Sequence, residues 1–308
     1  MKRVFVVGSL NMDIVVHTAD FPRSGETVLG KDYFTNAGGK GANQAVASAK
    51  QGVTTFHMGA VGDDVFGAQL IARLKHYGVN YNLIKTKKEP TGVAIVMLHN
   101  GDNRIIVNAG ANFAYTYAEA KNDLETYAKP GDILVLQLEI RPEVTFQLIK
   151  LAKQLGLYVV FNPAPMIADF PMEILRDVDL LIMNEWETKT VTKTENEKFS
   201  IDDVINKLVS TGVKNIIITL GEQGGFYYEN GQTLRYNAFT ADVVDTTGAG
   251  DAFVGAIAAD LTRDVSLKAA INNASIVAAL TVSRQGAQQA IPTEAEVKEV
   301  KKKINNAD

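Results

Sequence analysis

Two glycine-bearing stretches and a scatter of acids and amides carry the chemistry that this chain could perform. The denser stretch is Asp245-Thr246-Thr247-Gly248-Ala249-Gly250-Asp251-Ala252-Phe253, which leads into an apolar segment running to Leu261. Gly248 and Gly250 would let the backbone approach a ligand closely, and the free N–H groups of a new helix, with its dipole, favour an anion. In outline this is a phosphate cradle with Gly248, Ala249 and Gly250 at its lip. Asp251 falls in the first turn, where the dipole favours the charged carboxylate, and an ionised acid can accept a proton. An ordinary tight turn followed by a helix-start carboxylate is the alternative.

The second stretch is Gly38-Gly39-Lys40-Gly41-Ala42-Asn43-Gln44-Ala45. Lys40 offers charge to a phosphate, and Asn43 offers both donor and acceptor to a hydroxylated ligand, a pair that suits a polyol. A glycine-rich turn with a solvated lysine would read the same way. Four further polar groups follow apolar runs: Asn11-Met12-Asp13, Glu139, Asn184-Glu185-Trp186-Glu187, and Thr219-Leu220-Gly221-Glu222-Gln223-Gly224-Gly225. Taken singly, each is a turn or cap residue; together they fall beyond the carboxyl ends of strands, where open α/β sheets bind ligands.

The elements that must position these groups are legible as an alternation. Arg3 to Val7, Thr54 to Ala60, Asp132 to Leu138, Leu157 to Phe161, Val178 to Met183 and Asn215 to Leu220 read as strands, several apolar on both faces. Ala42 to Gln51, Phe66 to Tyr77, Pro142 to Leu155 and Ile201 to Thr211 read as helices between them. That rhythm predicts a layered α/β domain with a mostly parallel sheet covered by helices. Thr91 to Leu98 and Arg104 to Asn108 break it, joined through a loop whose Asn100-Gly101 is a hairpin signal. With the extended stretch Glu26 to Thr35 they predict a small β flap, the alternative being edge strands of the main sheet. Thr188 to Ser200 reads as a solvated loop and Thr293 to Lys303 as a terminal helix with Glu294/Lys298 and Glu299/Lys303 pairs.

Other chemistries are excluded by what the 308 residues lack. No cysteine is present, which removes disulfides, thiolate metal sites and a thiol nucleophile and fits a reducing compartment. Thirty-one Lys and Arg against 35 Asp and Glu, without a basic block, argue against nucleic acid as a partner. No apolar run is long enough for a membrane span, and the apolar start Val4 to Val7 is too short for a signal peptide, so a soluble cytoplasmic protein is expected. His17, His57, His76 and His99 show no ligand spacing. Phe253 stands where a dinucleotide fingerprint requires glycine, and no P-loop or nucleophile-elbow motif occurs.

Together and in this order, Gly38 to Ala45 and Asp245 to Asp251 resemble the two signatures of the ribokinase-like (PfkB) carbohydrate kinases. Asn108-Ala109-Gly110-Ala111-Asn112, Asn162-Pro163-Ala164-Pro165 and Gln285-Gly286-Ala287-Gln288 extend the resemblance over essentially the whole chain. It implies a three-layer α/β/α sandwich over 1–308, with a β lid at about 12–37 and 91–109 that closes on the sugar and often makes a homodimer contact. It implies ATP-dependent phosphorylation of D-ribose at the 5-hydroxyl, with deoxyribose, a ketohexose or a nucleoside as other acceptors and a non-catalytic sugar sensor as a different class.

Carried over residue by residue, Asn11, Asp13, Gly39, Lys40, Gly41, Ala42, Asn43 and Glu139 would hold the sugar, with Asp251 as base on its 5-hydroxyl. Asn184, Thr219, Leu220, Gly221, Glu222, Gln223, Gly224, Gly250, Asp251 and Ser275 would line the nucleotide site. Asn184 and Glu187 match an N-x-x-E element acting on the hydration sphere of Mg²⁺. Asp245, Thr247, Thr281, Arg284 and Gly286 match a monovalent-cation (K⁺) site. Ala290 stands where relatives can offer a serine hydroxyl, so that site lacks one possible ligand.

Overall fold

The computed structural model describes residues 1–99, 102–194 and 200–306. The chain opens with β1 (Val4–Val7), β2 (Asn11–Thr18) and β3 (Gly30–Gly38), then α1 (Lys40–Lys50), β4 (Thr55–Gly62), α2 (Val65–His76) and β5 (Asn80–Lys87). After β6 (Gly92–His99) and β7 (Asp102–Asn108) come α3 (Ala111–Ala114), α4 (Tyr117–Tyr127), β8 (Ile133–Leu136), α5 (Pro142–Gln154) and β9 (Tyr158–Phe161). Next are β10 (Leu180–Asn184), α6 (Glu185–Thr192), α7 (Ile201–Val209), β11 (Asn215–Thr219), β12 (Gly225–Glu229) and β13 (Gln232–Tyr236). The chain ends in α8 (Ala249–Leu261), α9 (Leu267–Val282) and α10 (Glu294–Asn305).

A nine-stranded sheet runs in the order β13-β12-β11-β10-β9-β8-β1-β4-β5. From β11 to β5 neighbouring strands pair in parallel, and the β12/β13 hairpin adds two antiparallel strands at one edge. The central strands bury both faces. Val4 and Val6 of β1 pack with α1, α2, α8, α9 and α10, while Phe5 and Val7 pack with α3 to α7. This is the three-layer α/β/α arrangement that the β-α-β alternation predicts, because a parallel sheet must cover both faces with its crossover helices.

β1 sits between β4 and β8, so the chain leaves it to one side and later returns to the other. Such a reversal opens a crevice beyond the carboxyl ends of the flanking strands. From that end the chain also leaves for a separate four-stranded sheet, β3-β2-β6-β7, in which β2 and β6 are parallel and both outer pairs antiparallel. The flap segments are thus not edge strands of the main sheet. Only three residues, Gly8 to Leu10, join the two sheets at β1, and Gly39 alone joins β3 to α1.

Two boundaries differ from the sequence reading. The polar stretch from Thr188 is not all loop: α6 continues to Thr192 with Thr188, Val191 and Thr192 buried, because the threonine hydroxyls bond to carbonyls one turn back and so tolerate burial. Residues 195–199 of that stretch, and Asn100-Gly101 of the predicted hairpin loop, lie outside the described residues. The extended segment expected at Glu26 starts as a strand only at Gly30. Among the described residues no helix is long and apolar enough to cross a membrane.

Candidate active site

The first turn of α8 is built around Gly248, the N-cap, whose φ of 75° is left-handed and natural for glycine. Asp251 is the third residue of the helix and is 8% exposed. Each of its oxygens receives an amide from α1: Asn43 Nδ2 donates to Oδ2 at 2.9 Å and Gln44 Nε2 to Oδ1 at 3.0 Å. Gly250 is exposed, and a Cβ built on it would meet no atom within 4 Å. Neither backbone conformation nor packing therefore requires glycine at 250; an approaching ligand would. The early N–H groups of any helix lack intrahelical acceptors, so this end offers donors to an anion.

Across the crevice, the start of α1 is pressed onto the end of β1. A Cβ at Gly41 would stand 2.6 Å from the backbone of Gly8 and Ser9, so the glycines of this stretch serve close strand–helix contact. Ser9 Oγ donates to Glu139 Oε2 at 2.5 Å, and the Lys40 N–H donates to the same oxygen at 2.9 Å. Asp13 pairs with Asn36 in register, and its carboxylate lies against Gly38, where a Cβ would overlap its Oδ2. Asn11 is held by Asn112, whose Nδ2 donates to Asn11 Oδ1 at 2.8 Å while its other contacts fix the backbone of Leu10.

The electrostatics show how close these groups lie. Burial, then the charges of Glu139 and Asp251, push the Asp13 carboxyl up to about 7. The Lys40 ammonium is held above its ordinary value chiefly by Asp251, against burial and with help from Glu139 and Glu187. Burial, joined by Asp251, also raises Glu187, while the Asn184 N–H and Lys40 oppose the rise. The Lys40 charge is thus coupled to carboxylates from the segment after β8, α6 and α8, and Asp13 of β2 to Glu139 and Asp251.

A family model described as pfkB family carbohydrate kinase matches residues 1–294. The chain belongs to the pfkB carbohydrate kinase family. It is 36% identical to the ribokinase of Lactococcus lactis over 299 residues, covering 97% of this chain and 96% of that one. It is 33% identical to the deoxyribokinase of Salmonella typhimurium over 293 residues, covering 94% and 95%. Among solved structures, that of Arabidopsis thaliana ribokinase complexed with ribose and ATP superposes with a TM-score of 0.88 at 33% identity, covering 97% and 99%. The fold is therefore ribokinase-like, and the chain is a carbohydrate kinase.

The remaining candidate residues of this pfkB kinase lie on β10, β11, the turn after β11 and α9. Asn184 ends β10 and pairs in register with Thr219, which ends β11. Leu220 to Gly224 form the turn that follows, with Glu222 and Gln223 exposed and open space at Gly221. Asn184 and Glu187 form a capping box: Glu187 N–H donates to Asn184 Oδ1 at 2.8 Å, and Asn184 N–H returns to Glu187 Oε2 at 2.9 Å. Ser275 is buried in α9 and donates to Ile271 O at 2.9 Å, so its hydroxyl is spent within its own helix.

At the expected cation position, Asp245 Oδ1 accepts the Thr247 N–H and Oδ2 the Gly286 N–H, both at 2.9 Å. Burial alone would raise this carboxyl, yet those bonds hold it below the usual range. With the Val244 and Asp245 N–H groups donating to Val282 O, these contacts tie 244–247 to 282–286. The Thr281 hydroxyl is itself spent on Val277 O at 2.8 Å, and Ala290 is buried. Among the described residues there is no cluster of three or more His, Cys, Asp or Glu that could hold a metal.

Sequence reasoning missed the groups behind the acid. Gln44, Gln137, Asn162 and Gln288 bond to Asp251 or Asn43 directly or through one another. Gln44 stood in plain view beside Asn43, and a run of two consecutive amides entering a helix was the available signal.

Proposed function

We propose that this pfkB kinase transfers the γ-phosphoryl group of ATP to the 5-hydroxyl of D-ribose, with Asp251 as the base. The observation that carries the reading is the placement of Asp251: a buried carboxylate, fixed by two amides, in the same helical turn as the open N–H groups beside Gly250. A base and an anion site sharing one turn bring an alcohol and a phosphoryl group together, and positioning with charge stabilisation is most of what phosphoryl transfer asks of a protein.

In this reading Asn11, Asp13, Lys40, Asn43 and Glu139 hold the sugar hydroxyls, the carboxylates as acceptors and the amides in either sense. The Gly250 and Asp251 N–H groups receive the phosphoryl oxygens, the Ala249 N–H being engaged by Thr246 O at 3.3 Å, and Thr219 to Gly224 with Asn184 border the nucleotide. A sugar hydroxyl is far less acidic than a carboxylic acid, so Asp251 takes the proton late, as the bond to phosphorus forms. Ser275 contributes shape only.

Magnesium bound with the nucleotide would supply charge neutralisation on the phosphate oxygens, and Asn184 and Glu187 would hold it through its water shell. Their mutual bonds keep Glu187 facing Lys40 and Asp251, which suits that role. The carbonyls of Asp245, Thr247, Thr281, Arg284 and Gly286 would hold a monovalent cation, supplying a fixed positive charge behind the cradle. The four-stranded sheet acts as the lid, since β2 carries Asn11 and Asp13 to the crevice. Its exposed Tyr33, Ile95, Ile105, Ile106 and Val107 support a homodimer through that sheet.

The test is ATP consumption with ribose, deoxyribose, fructose and nucleosides, each with and without potassium. Ribose giving the highest kcat/KM, with phosphate found on the 5-oxygen, is the expected result. Preference for another acceptor would replace ribose while keeping the kinase, and no sugar-dependent ADP formation would overturn the reading.

A further inference from the structure

Asp251 is not simply buried; it is clamped between two chains of carboxamides. On one side Gln137 Nε2 donates to Gln44 Oε1 at 2.5 Å, and Gln44 Nε2 donates both to Asp251 Oδ1 at 3.0 Å and to Asn162 Oδ1 at 3.2 Å. Asn162 is itself oriented by donating to Ile182 O at 3.0 Å. On the other side Gln288 Nε2 donates to Asn43 Oδ1 at 3.1 Å, and Asn43 Nδ2 reaches Asp251 Oδ2.

A carboxamide can present either end, so the direction of each chain needs a cause. With Gln44 reversed, its oxygen would face the Asp251 carboxylate and Asn162 Oδ1 at once, and its amino group would meet that of Gln137. Only one direction avoids those repulsions. Gln137 has no bond of its own at Oε1, which is buried against Gly8, so its place is set by packing and its amino end by the Gln44 oxygen it donates to.

We propose that Gln44 is a positioning residue for phosphoryl transfer, acting through Asp251, with Gln137 setting its direction. The inference rests on Asp251 being the base. Gln44 has no solvent exposure and does not line the crevice, unlike Asn43, so it contributes nothing to holding a sugar directly. What it fixes is the plane of a carboxylate whose terminal torsion is otherwise soft. One oxygen's remaining lone pair is then kept facing the acceptor hydroxyl.

The experiment compares Gln44→Met, Gln44→Glu and Asp251→Asn, alone and with Gln44→Met combined with Asp251→Asn, reading kcat, both KM values and the thermal transition of each. Gln44→Met should lower kcat at least about tenfold with both KM values within about twofold, the pattern of an interaction realised only in the transition state. In the Asp251→Asn background it should lower the residual rate less than about twofold, because residues acting as a unit are not additive. Gln44→Glu keeps the shape and the acceptor for Gln137 but loses the donor, and should lose kcat likewise; it serves if the methionine variant does not fold. Wild-type kcat in either folded Gln44 variant overturns the proposal, as does an equal loss in both backgrounds. Full turnover by Asp251→Asn alone would instead remove the base assignment, a separate failure.

Discussion

Gly255 lies so close to Gln44 that a Cβ at position 255 would stand 2.5 Å from the Gln44 carbonyl oxygen and 2.5 Å from Ala47 Cβ. One turn after Asp251, this contact sets how near α8 approaches α1, and hence whether Asn43 and Gln44 can reach the carboxylate. Gly255→Val must push the helices apart. Overpacking of this kind destabilises by about 1–3 kcal/mol, and the displaced carboxylate should lower kcat by about tenfold or more. Chemical denaturation and steady-state kinetics on the same preparation check both effects.

Gly250→Ala separates fold from function in the opposite sense. Alanine suits a helical turn better than glycine by about 0.5–1 kcal/mol, and the new methyl meets no neighbour, so the thermal transition should hold or rise. The methyl would occupy the space in front of the N–H groups, so KM for ATP should rise and kcat fall, together by about 10²-fold in kcat/KM. A stable variant with unaltered kinetics would argue against an anion at this turn.

Asp251→Asn keeps the side-chain shape and removes proton acceptance. Turnover should fall by about 10² to 10⁴ while calorimetry still shows ATP and sugar binding. The substitution also turns an amino group toward one of the two donors, Asn43 and Gln44, so some thermal stability should be lost.

Asp13 gives the pH dependence a sign. Its carboxyl sits near 7 in the free protein and near 4 when unfolded, so between these values the native state binds the extra proton and stability falls as pH rises. Asp13→Asn should therefore gain stability relative to the parent between about pH 4 and 7, the difference levelling off above that. The ionised form is the better acceptor for sugar hydroxyls, so kcat/KM for the sugar should climb through about pH 7 in the parent and lose that limb in Asp13→Asn. A matching limb in both proteins would assign it elsewhere.

The strands buried on both faces were readable because short apolar runs in alternation with helical segments admit little else: β1, β4 and β8 to β11 lie within a few residues of their expected bounds. β2 was not, since Asn11-Met12-Asp13 reads as a polar turn although its extended backbone delivers those groups to the crevice. The β12/β13 hairpin also went unread despite its Asn230-Gly231 turn, both with positive φ. For the site, local motifs disclosed Asp251, Asn43 and Lys40. The clamp behind Asp251 is assembled from Gln44, 207 residues away, and Gln137, 93 residues further across the fold, so the adjacent amides Asn43-Gln44 could flag one member but not the contacts it makes.

The way the two sheets are joined divides the labour between parts of the chain. Of the groups assigned to acceptor recognition, Asn11 and Asp13 ride on β2, reached from β1 through Gly8 to Leu10, while Lys40 and Asn43 of α1 and Glu139 after β8 belong to the body, as does Asp251, anchored between α1 and α8. Asn43 bonds to Asp251 itself, so the body contributes to both tasks in this reading. Exchanging the smaller sheet would then replace only the contacts that Asn11 and Asp13 make, tuning the choice of alcohol around a part of the scaffold that stays fixed.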